Sequence, residues 1–196
     1  MTQEHVITEQ EFEARMTPEE RSLFDDYKSK VGKEFVFAPR HPMFYYWGME
    51  DPVQWSSIKR WATITEDFNP LWFDKEYAKN TRWGGVIAPP FYLLALDDPI
   101  AQGEDIVSKV YYPNNTMARD KYPTFRGAMV ADSEYEFGEP IRPGDKITAS
   151  YRCSDPFWKM GSKFRLLFLP GESTYTNQNG KMVAIGRGKG VYMFKA

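Results

Sequence analysis

The chain has 196 residues, of which 42% are hydrophobic and 16% aromatic, so it can bury the core of one domain. Its 25 basic and 27 acidic residues nearly cancel, which argues against nucleic acid or an anionic membrane as the partner. Cys153 is the one cysteine, and His5 and His41 are the only histidines, so an internal disulfide and a Cys/His zinc site are excluded. We therefore expect a cytoplasmic protein that acts on small molecules or on other proteins.

The N-terminal residues predict a helical extension rather than a targeting segment. They are charged, and residues 86–96, the most apolar run of the chain, are too few to span a bilayer. Thr8 with Glu11 and Thr17 with Glu20 form two capping-box patterns, each of which predicts the start of a helix. The second helix is expected over residues 17–30. We assign residues 1–34 to this extension and residues 35–196 to a single domain.

Short strands and a further helix are predicted for the next part of the chain. Residues 35–52 are rich in aromatic side chains but are interrupted by three prolines, which favours strand pieces and turns. Ser56 or Ser57 is expected to cap the helix that follows. Four residues recur on it at helical spacing, namely Ile58, Trp61, Ala62 and Thr65. This helix leads into a loop that begins at Asp67.

Two shorter helices and a long loop are expected after Asp67. Asp74 caps a short amphipathic segment that Gly84 and Gly85 are predicted to end. Residues 89–96 begin with two prolines and continue FYLLAL, which is apolar on every side, so this helix has to be surrounded. Residues 101–127 show no sustained period and are predicted to be a loop.

The C-terminal third predicts four antiparallel strands in meander order, beginning at Ala128. Turns are expected at residues 142–145, at residues 159–162 and at Asn179-Gly180, where a type I′ turn requires positive φ at both positions. In the last strand, glycines 186, 188 and 190 alternate with Arg187 and Lys189, so one strand face lacks side chains and permits close approach. Cys153 falls on the apolar face of another strand, which favours a buried structural thiol.

An all-apolar helix followed by curved antiparallel strands indicates an α+β fold of the hotdog type. In this architecture a curved antiparallel sheet wraps around one central helix, which explains why residues 89–96 have no polar face.

Ordered motifs from Val53 onward are similar to those of the MaoC-like (R)-specific enoyl-CoA hydratases and acyl dehydratases. The motifs are Asp67-x-Asn69-Pro70-x-Trp72, then Asp74, Tyr77 and Ala78, Gly84-Gly85-x-Ile87-Ala88, Pro140-x-Arg142-Pro143-Gly144-Asp145, and Tyr175-Thr176-Asn177-Gln178-x-Gly180. The dehydratase N-half variant of this family is the nearest match. Motifs in this order over such a length are far more specific than any short motif alone.

The resemblance implies a site with two missing parts. Hydration of an enoyl thioester requires a base, an acid and donors to an enolate-like oxygen. In the family an Asp and a His five residues later act as base and acid, so Asp67 is the base position and Trp72 occupies the His position. The indole of tryptophan does not exchange its proton near neutral pH. The glycine whose amide faces the thioester oxygen corresponds to Pro90, which has no N–H.

The catalytic candidates implied by the resemblance are Asp67 and Asn69, although an Asp-x-Asn-Pro loop also forms Asx turns for structural reasons alone. The substrate-binding candidates follow them in the chain and are Trp72, Trp83, Gly84, Gly85, Val86, Ile87, Ala88, Pro90 and Phe91. Each has a structural alternative, such as a dimer contact for a large aromatic residue, a helix end for the glycines and a helix start for the prolines. Arg187 and Lys189 could meet CoA phosphates, but a solvated strand face is favoured.

Three functional interpretations follow. In the first, the chain is the dyad-deficient partner of a catalytic hotdog subunit in an enoyl-CoA hydratase or 3-hydroxyacyl-CoA dehydratase, a pairing that in the family accommodates bulky lipid, aromatic or steroid acyl groups. In the second, it is a homomeric enzyme that uses Asp67 with Tyr77 or Glu66. In the third, it only binds an acyl thioester such as an acyl-CoA, or a protein partner. The ligand is an acyl-CoA or acyl carrier protein thioester and serves as substrate, no cofactor is expected, and at least a dimer is implied.

Overall fold

The computed structural model describes residue 11 and residues 13–37, 52–96, 123–161 and 163–195. The helices are α1 Pro18–Lys28, α2 Trp55–Ile64, α3 Pro70–Phe73, α4 Lys75–Lys79 and α5 Leu93–Leu96, with a 3₁₀ turn at Pro90–Tyr92 before α5. The strands are β1 Glu34–Phe37, β2 Phe125–Phe137, β3 Thr148–Cys153, β4 Phe157–Met160, β5 Phe164–Thr176 and β6 Met182–Lys195. Predictions for Thr8, for most of residues 35–52 and for residues 97–122 lie outside the described residues.

Helix α1 begins at the predicted capping box. The Thr17 hydroxyl accepts from the Glu20 backbone N–H, and the Glu20 carboxylate accepts from the Thr17 N–H, both over 3.2 Å. The helix ends at Lys28, two residues earlier than expected, and its apolar face packs on the sheet, where the Phe24 ring stacks on Trp158 with 6.3 Å between centroids. In the part of the chain that is described, no helix is long and apolar enough to cross a bilayer.

A buried ion pair fastens α1 to the sheet. The Glu20 carboxylate, of which 1% is exposed, lies 2.7 Å from the Arg165 guanidinium on β5. The Thr124 hydroxyl also donates to Glu20 over 2.6 Å. Removing either charge would leave the other one buried without a partner, which is a large cost. The helical extension is therefore held by specific polar contacts as well as by apolar packing.

Helix α2 shows the predicted core face but not the predicted cap. Ile58 and Ala62 are buried, as their spacing predicts, whereas Trp61 is half-buried and Thr65, expected on the same face, is exposed. The N-cap is Gln54, and neither Ser56 nor Ser57 caps the helix. The Ser57 hydroxyl instead lies inside the first turn, where it donates to the Gln54 carbonyl over 2.6 Å.

Helix α4 begins as predicted, since the Asp74 carboxylate accepts from the backbone N–H groups of Glu76 and Tyr77. It ends at Lys79, earlier than the predicted stop at the glycines. The reason is local, because the Asn80 side chain donates to the Glu76 carbonyl over 2.9 Å and thereby satisfies the helix end. Gly84 adopts φ 65° in the turn that follows.

The sheet is antiparallel with the order β1-β3-β5-β6-β2, and β4 also pairs with β5. Five strands follow residue 123 rather than four, because β3 and β4 lie in succession against the long β5. The meander prediction is wrong, since β2 pairs with β6 and not with β3. Strand β2 starts at Phe125, so the end of the predicted 101–127 loop belongs to the sheet.

The β5–β6 hairpin forms where predicted, but through a different turn. Gly180 has φ 70°, whereas among the described residues Glu66 is the only non-glycine with positive φ, so Asn179 is not left-handed and the turn is not type I′. The Asn177 side-chain oxygen accepts from the backbone N–H groups of Asn179 and Lys181, over 3.0 and 3.1 Å. This asparagine stabilises a four-residue turn that requires positive φ only at Gly180.

One face of the sheet forms the core. Gly186 on β6 presents no side chain there, and the Tyr135 ring of β2 lies so close that an added Cβ would be 2.8 Å from it. Cys153 is buried on the same face, as predicted. The opposite face is polar, with Arg187 paired to Glu172 and Lys189 paired to an aspartate of β2.

The segment that precedes α5 packs on the core face of the sheet. The Phe91 ring meets Tyr135 and Phe137 edge to face, with centroids 5.9 and 5.5 Å apart. Tyr92 and Leu93 are buried, but Phe91 is 52% exposed. The prediction that this apolar segment is surrounded on every side is therefore wrong for its described part. An antiparallel sheet with a helix against its core face is the α+β arrangement that the sequence indicates.

Candidate functional site

The loop that carries Asp67 is fixed by the end of α2. The backbone N–H of Glu66 donates to the Thr63 carbonyl over 3.2 Å, and that of Asp67 donates to the Ala62 carbonyl over 2.9 Å. These two bonds form a Schellman motif, in which the residue after the cap is left-handed and is usually glycine. Here that residue is Glu66, with φ 55°. The end of α2 therefore fixes the position of the Asp67 backbone.

Asp67 and Asn69 form two consecutive Asx turns. The Asp67 Oδ1 atom accepts from the Asn69 backbone N–H over 3.3 Å, and the Asn69 Oδ1 atom accepts from the Leu71 N–H over 3.0 Å. Asn69 is thus the N-cap of α3, and Pro70 is its first residue. The structure brings these two candidates together and gives both a structural role, while a chemical role for either remains a prediction.

Trp72 lies on α3 and is only 7% exposed. Its backbone carbonyl accepts a hydrogen bond from the Trp55 indole N–H over 2.8 Å. Its own Nε1–H is buried and has no hydrogen-bond partner among the described residues. The Trp72 side chain is therefore part of the hydrophobic core. Burying its indole N–H without a hydrogen-bond acceptor costs about 1–3 kcal/mol.

The glycine-containing segment from Trp83 to Ala88 is held by Arg142. The Arg142 guanidinium donates to the Trp83 carbonyl over 2.8 Å and lies 3.8 Å from where a Cβ on Gly85 would be. The Ala88 N–H donates to the Ile141 carbonyl over 2.8 Å. Within this segment Trp83, Gly85 and Val86 are half-buried and Gly84 is exposed, whereas Ile87 and Ala88 are buried and form part of the core.

Arg142 is a positioning residue that the sequence did not identify, although its motif was noted. Its backbone N–H donates to the buried Asp145 carboxylate over 2.7 Å. The other oxygen of Asp145 accepts from the Gln178 side chain over 3.1 Å. The turn at residues 142–145 is thus clamped to the β5–β6 hairpin, which fixes the direction of the guanidinium. The sequence Arg142-Pro143-Gly144-Asp145 could have indicated this arrangement, because an aspartate three residues after an arginine can close a Pro-Gly turn.

Two prolines begin the segment before α5, so the first two backbone positions offer no donor. Pro89 is buried, Pro90 is exposed, and the Tyr92 N–H donates to the Pro89 carbonyl over 2.9 Å. The Tyr92 hydroxyl lies 2.7 Å from Ser57 Oγ on α2. Burial raises the pKa of the Tyr92 phenol above its ordinary value. The phenol therefore stays protonated across the physiological pH range, and its contact with Ser57 is retained.

Helix α2 contacts three parts of the candidate site, namely α3, the segment before α5 and the Asp67 loop. Trp55 binds the backbone of α3, Ser57 contacts the segment before α5, and the last turn of α2 fixes the Asp67 loop. Arg187 and Lys189 are separated from these parts, since both lie on the polar face of the sheet in ion pairs. Tyr77 is half-exposed on α4.

An open groove of about 580 Å³ adjoins the Asp67 loop. We call it the Trp55 groove, and it is lined by Trp55, Phe68, Pro70, Phe73, Asp74, Lys75 and Glu76. Phe68 is 67% exposed, and its ring stacks against Phe73 with 6.3 Å between centroids. None of these lining residues was a sequence-based binding candidate, although all except Trp55 lie within residues 68–76.

Comparisons with known proteins agree with this architecture. The sequence profile of the family described as FAS1-like, dehydratase domain region, matches residues 44–185. A probable enoyl-CoA hydratase alpha subunit from Thermomonospora curvata is 27% identical over 149 residues, which are 70% of this chain and 44% of that relative. The chain thus spans less than half the length of that relative.

Two solved structures share the fold. The MaoC-like dehydratase from Rhodospirillum rubrum superposes with a TM-score of 0.58 at 21% identity, covering 85% of this chain and 93% of the other. The ChsH1-ChsH2 complex from Mycobacterium tuberculosis gives 0.59 at 15% identity, with coverages of 91% and 92%. Together with the antiparallel sheet and the helix against its core face, these likenesses establish the hotdog fold.

Proposed function

The chain belongs to the FAS1-like dehydratase-region family of MaoC-like hotdog proteins, and from this premise we propose that it is the substrate-binding, dyad-deficient subunit of an enoyl-CoA hydratase or 3-hydroxyacyl-CoA dehydratase. Its partner is a second hotdog subunit that carries the acid/base histidine. This chain shapes the acyl site, and the partner performs the proton transfers. The substrate is an acyl thioester with a bulky acyl group.

The environment of Trp72 is the observation that carries the proposal. Trp72 occupies the position at which the family resemblance implies the catalytic histidine. It is buried in the core, and its carbonyl is engaged by Trp55, so the position contributes bulk and no titrating group. Because general acid/base catalysis contributes about 10²–10⁴-fold, loss of this group alone removes most of the activity of an isolated chain.

The start of the segment before α5 supports the same proposal. Pro90 replaces the residue whose amide would polarise the thioester oxygen, and Pro89 precedes it. A missing oxyanion donor costs about 10²–10³-fold in rate. Both groups would act in the same addition reaction, so a chain that lacks both is expected to have negligible activity alone, and a partner has to supply them.

Two of the comparisons favour a two-component enzyme. The relative from Thermomonospora curvata is described as an alpha subunit, and the structure from Mycobacterium tuberculosis is a complex of two proteins. The described core of this chain is otherwise complete, with an ordered Asp67 loop and an Arg142 clamp on the glycine segment. A preserved scaffold with two absent catalytic groups is what such a subunit requires.

The test is to purify the chain alone and together with a hotdog protein that contains Asp-x-Asn-Pro-x-His, and to measure hydration of a 2-enoyl-CoA. We expect negligible activity for the chain alone and higher activity for the pair than for the partner alone. The matched variant is Trp72→His with Pro90→Gly, which restores the two missing groups and should give the isolated chain measurable activity.

Two results would contradict the proposal. One is full activity of the isolated chain that is lost in Asp67→Asn, which would identify a homomeric enzyme. The other is the absence of both co-purification and any change in the partner's activity. Trp72→Phe serves as a control for structural damage, because it preserves an aromatic wall without introducing a titrating group.

A further inference from the structure

Strand β2 lies at one end of the sheet order, so one of its two long edges faces no other described strand. We call this side the β2 edge. The strand has 13 residues, whereas a typical strand has about 5–6. Its other side pairs with β6 along nearly its whole length. A strand edge of this length can receive a strand from a second chain through main-chain hydrogen bonds.

The side chains near the β2 edge divide into an acidic face and an apolar face. Three carboxylates, those of Asp132, Glu134 and Glu136, alternate along the polar face of the sheet. On the core face, the Phe137 ring contacts the Phe91 ring, and both side chains remain exposed. A strand that pairs with this edge therefore needs apolar side chains on one face and groups that match carboxylates on the other.

The acidic face carries more negative charge than the neighbouring strand neutralises. Glu134 and Glu136 share the Arg187 guanidinium of β6, at 3.9 and 3.6 Å. That guanidinium lies closer to Glu172 of β5, at 2.8 Å, so one cation serves three carboxylates. The side chains of Glu134 and Glu136 are 79% and 58% exposed. Both carboxylates are therefore weakly paired and accessible to cations on an added strand.

A second copy of this chain fits the β2 edge poorly. In an antiparallel pair, side chains on the same face lie opposite one another. A two-fold pairing centred on Ser133, Glu134 or Tyr135 places carboxylates of one copy opposite carboxylates of the other. Like charges in this position are destabilising. The bulge between Val130 and Asp132 is a second feature that natural edge strands use against self-pairing.

We propose that the β2 edge receives an edge strand of the partner subunit, and that its acidic face selects a strand with lysine or arginine side chains on the matching face. The same charges disfavour a second copy of this chain. An edge that only had to remain uncovered would not keep two phenylalanine rings exposed beside it. This inference rests on the proposed function and deepens it, because it names the contact surface and the chemistry of the partner.

The experiment makes a complementary partner from the chain itself. In Glu134→Lys with Glu136→Lys, the edge retains its backbone and its apolar face but its acidic face is largely reversed in charge. Sedimentation measures the association of the wild type alone, of the variant alone and of their mixture, at low and at high salt. The mixture should associate about tenfold more tightly than either protein alone, and added salt should reduce this difference. Hydrogen exchange should show protection of β2 backbone amides in the mixture.

Two further variants separate the charge of the edge from other effects. Glu19→Lys with Glu76→Lys changes the net charge equally but away from β2, so it should associate with the wild type no more tightly than the wild type does with itself. Glu134→Gln with Glu136→Gln removes the repulsion without adding cations, so it should self-associate more tightly than the wild type. Circular dichroism checks that each variant is folded.

Self-association of the wild type through β2 as tight as that of the mixture would overturn the inference. So would a mixture with no gain in affinity and no protection along β2. These failures are distinct from failure of the proposed function. If a hotdog subunit with the Asp/His dyad forms an active hydratase equally well with the wild type and with the charge-reversed variant, only the inference about the edge is wrong. If the mixture associates as expected and no pairing yields a hydratase, only the proposed function is wrong.

Discussion

The indole N–H of Trp55 donates to the backbone carbonyl of Trp72 over 2.8 Å, and this bond joins the first residue of α2 to α3. It links an exposed groove to a buried position that the family resemblance assigns to catalysis. The Lys59 and Lys75 ammonium groups lie 4.3 and 4.5 Å from the centroid of the same indole ring. The Trp55 side chain therefore both lines the groove and holds α3 in position.

Replacing Trp55 with phenylalanine is expected to destabilise the protein by about 1–2 kcal/mol, because the partly buried Trp72 carbonyl loses its donor. Urea unfolding of the variant and the wild type measures the difference. Lys59→Gln is a suitable control, since it removes the ammonium above the ring but retains the hydrogen bond. An unchanged unfolding free energy in Trp55→Phe would show that the bond does not contribute.

Replacing Glu20 with alanine should lower stability by about 3–5 kcal/mol, because Arg165 would be left charged and buried. The measurement is chemical unfolding followed by circular dichroism. Glu34→Ala is the matched control, since it breaks the exposed Glu34–Arg152 pair at 3.5 Å and should cost less than about 1 kcal/mol. Similar losses in the two variants would contradict a special role for the buried pair.

Replacing Glu66 with glycine should raise stability by up to about 1 kcal/mol, because a residue with a Cβ is strained in the left-handed region. Glu66→Ala removes the same carboxylate but retains the strain, so we expect no gain from it. Thermal unfolding of the two variants separates the backbone effect from the charge. If Glu66 were a catalytic base, both variants would lose hydration activity in the subunit pair; we expect both to retain it.

The Cys153 thiol should react slowly in the folded protein and should make stability depend on alkaline pH. Burial raises its pKa above the ordinary value of 9.0, outweighing the opposing hydrogen bond with Tyr27. Folding therefore favours the neutral thiol, and its stabilising contribution is present below pH 9.0 and is lost as pH rises through the folded-state pKa. In Cys153→Ala, the free energy of unfolding should fall less at alkaline pH than it does in the wild type. Rapid chemical labelling of the native thiol at neutral pH would contradict its burial.

Features that depend on neighbouring residues were predictable from the sequence. The Thr17–Glu20 capping box and the Asp74 cap are formed by residues two or three positions apart, and both are present. The core face of α2 follows from helical spacing. The Asn179-Gly180 pair located its hairpin correctly, but the turn type depended on the Asn177 side chain and was wrong.

Features that depend on distant residues were not predictable. The pairing of β2 with β6 joins strands that are more than forty residues apart, and periodicity within a strand carries no information about its neighbours. The same holds for Arg142, whose contact with Trp83 spans 59 positions. The motif indicated which loops form the candidate site. Tertiary packing determines which of their atoms are in contact, and the sequence does not show this.

The position of α2 has a consequence for evolution and for engineering of this site. Since its first turn, its Ser57 hydroxyl and its last carbonyls each hold a different loop, the loops do not adjust independently. A small change beneath the helix, such as Ile58→Val, is expected to displace all of them together, because Ile58 is fully buried. Variation among related chains in the relative positions of these loops should then correlate with the buried face of this one helix more closely than with the sequences of the loops that it holds.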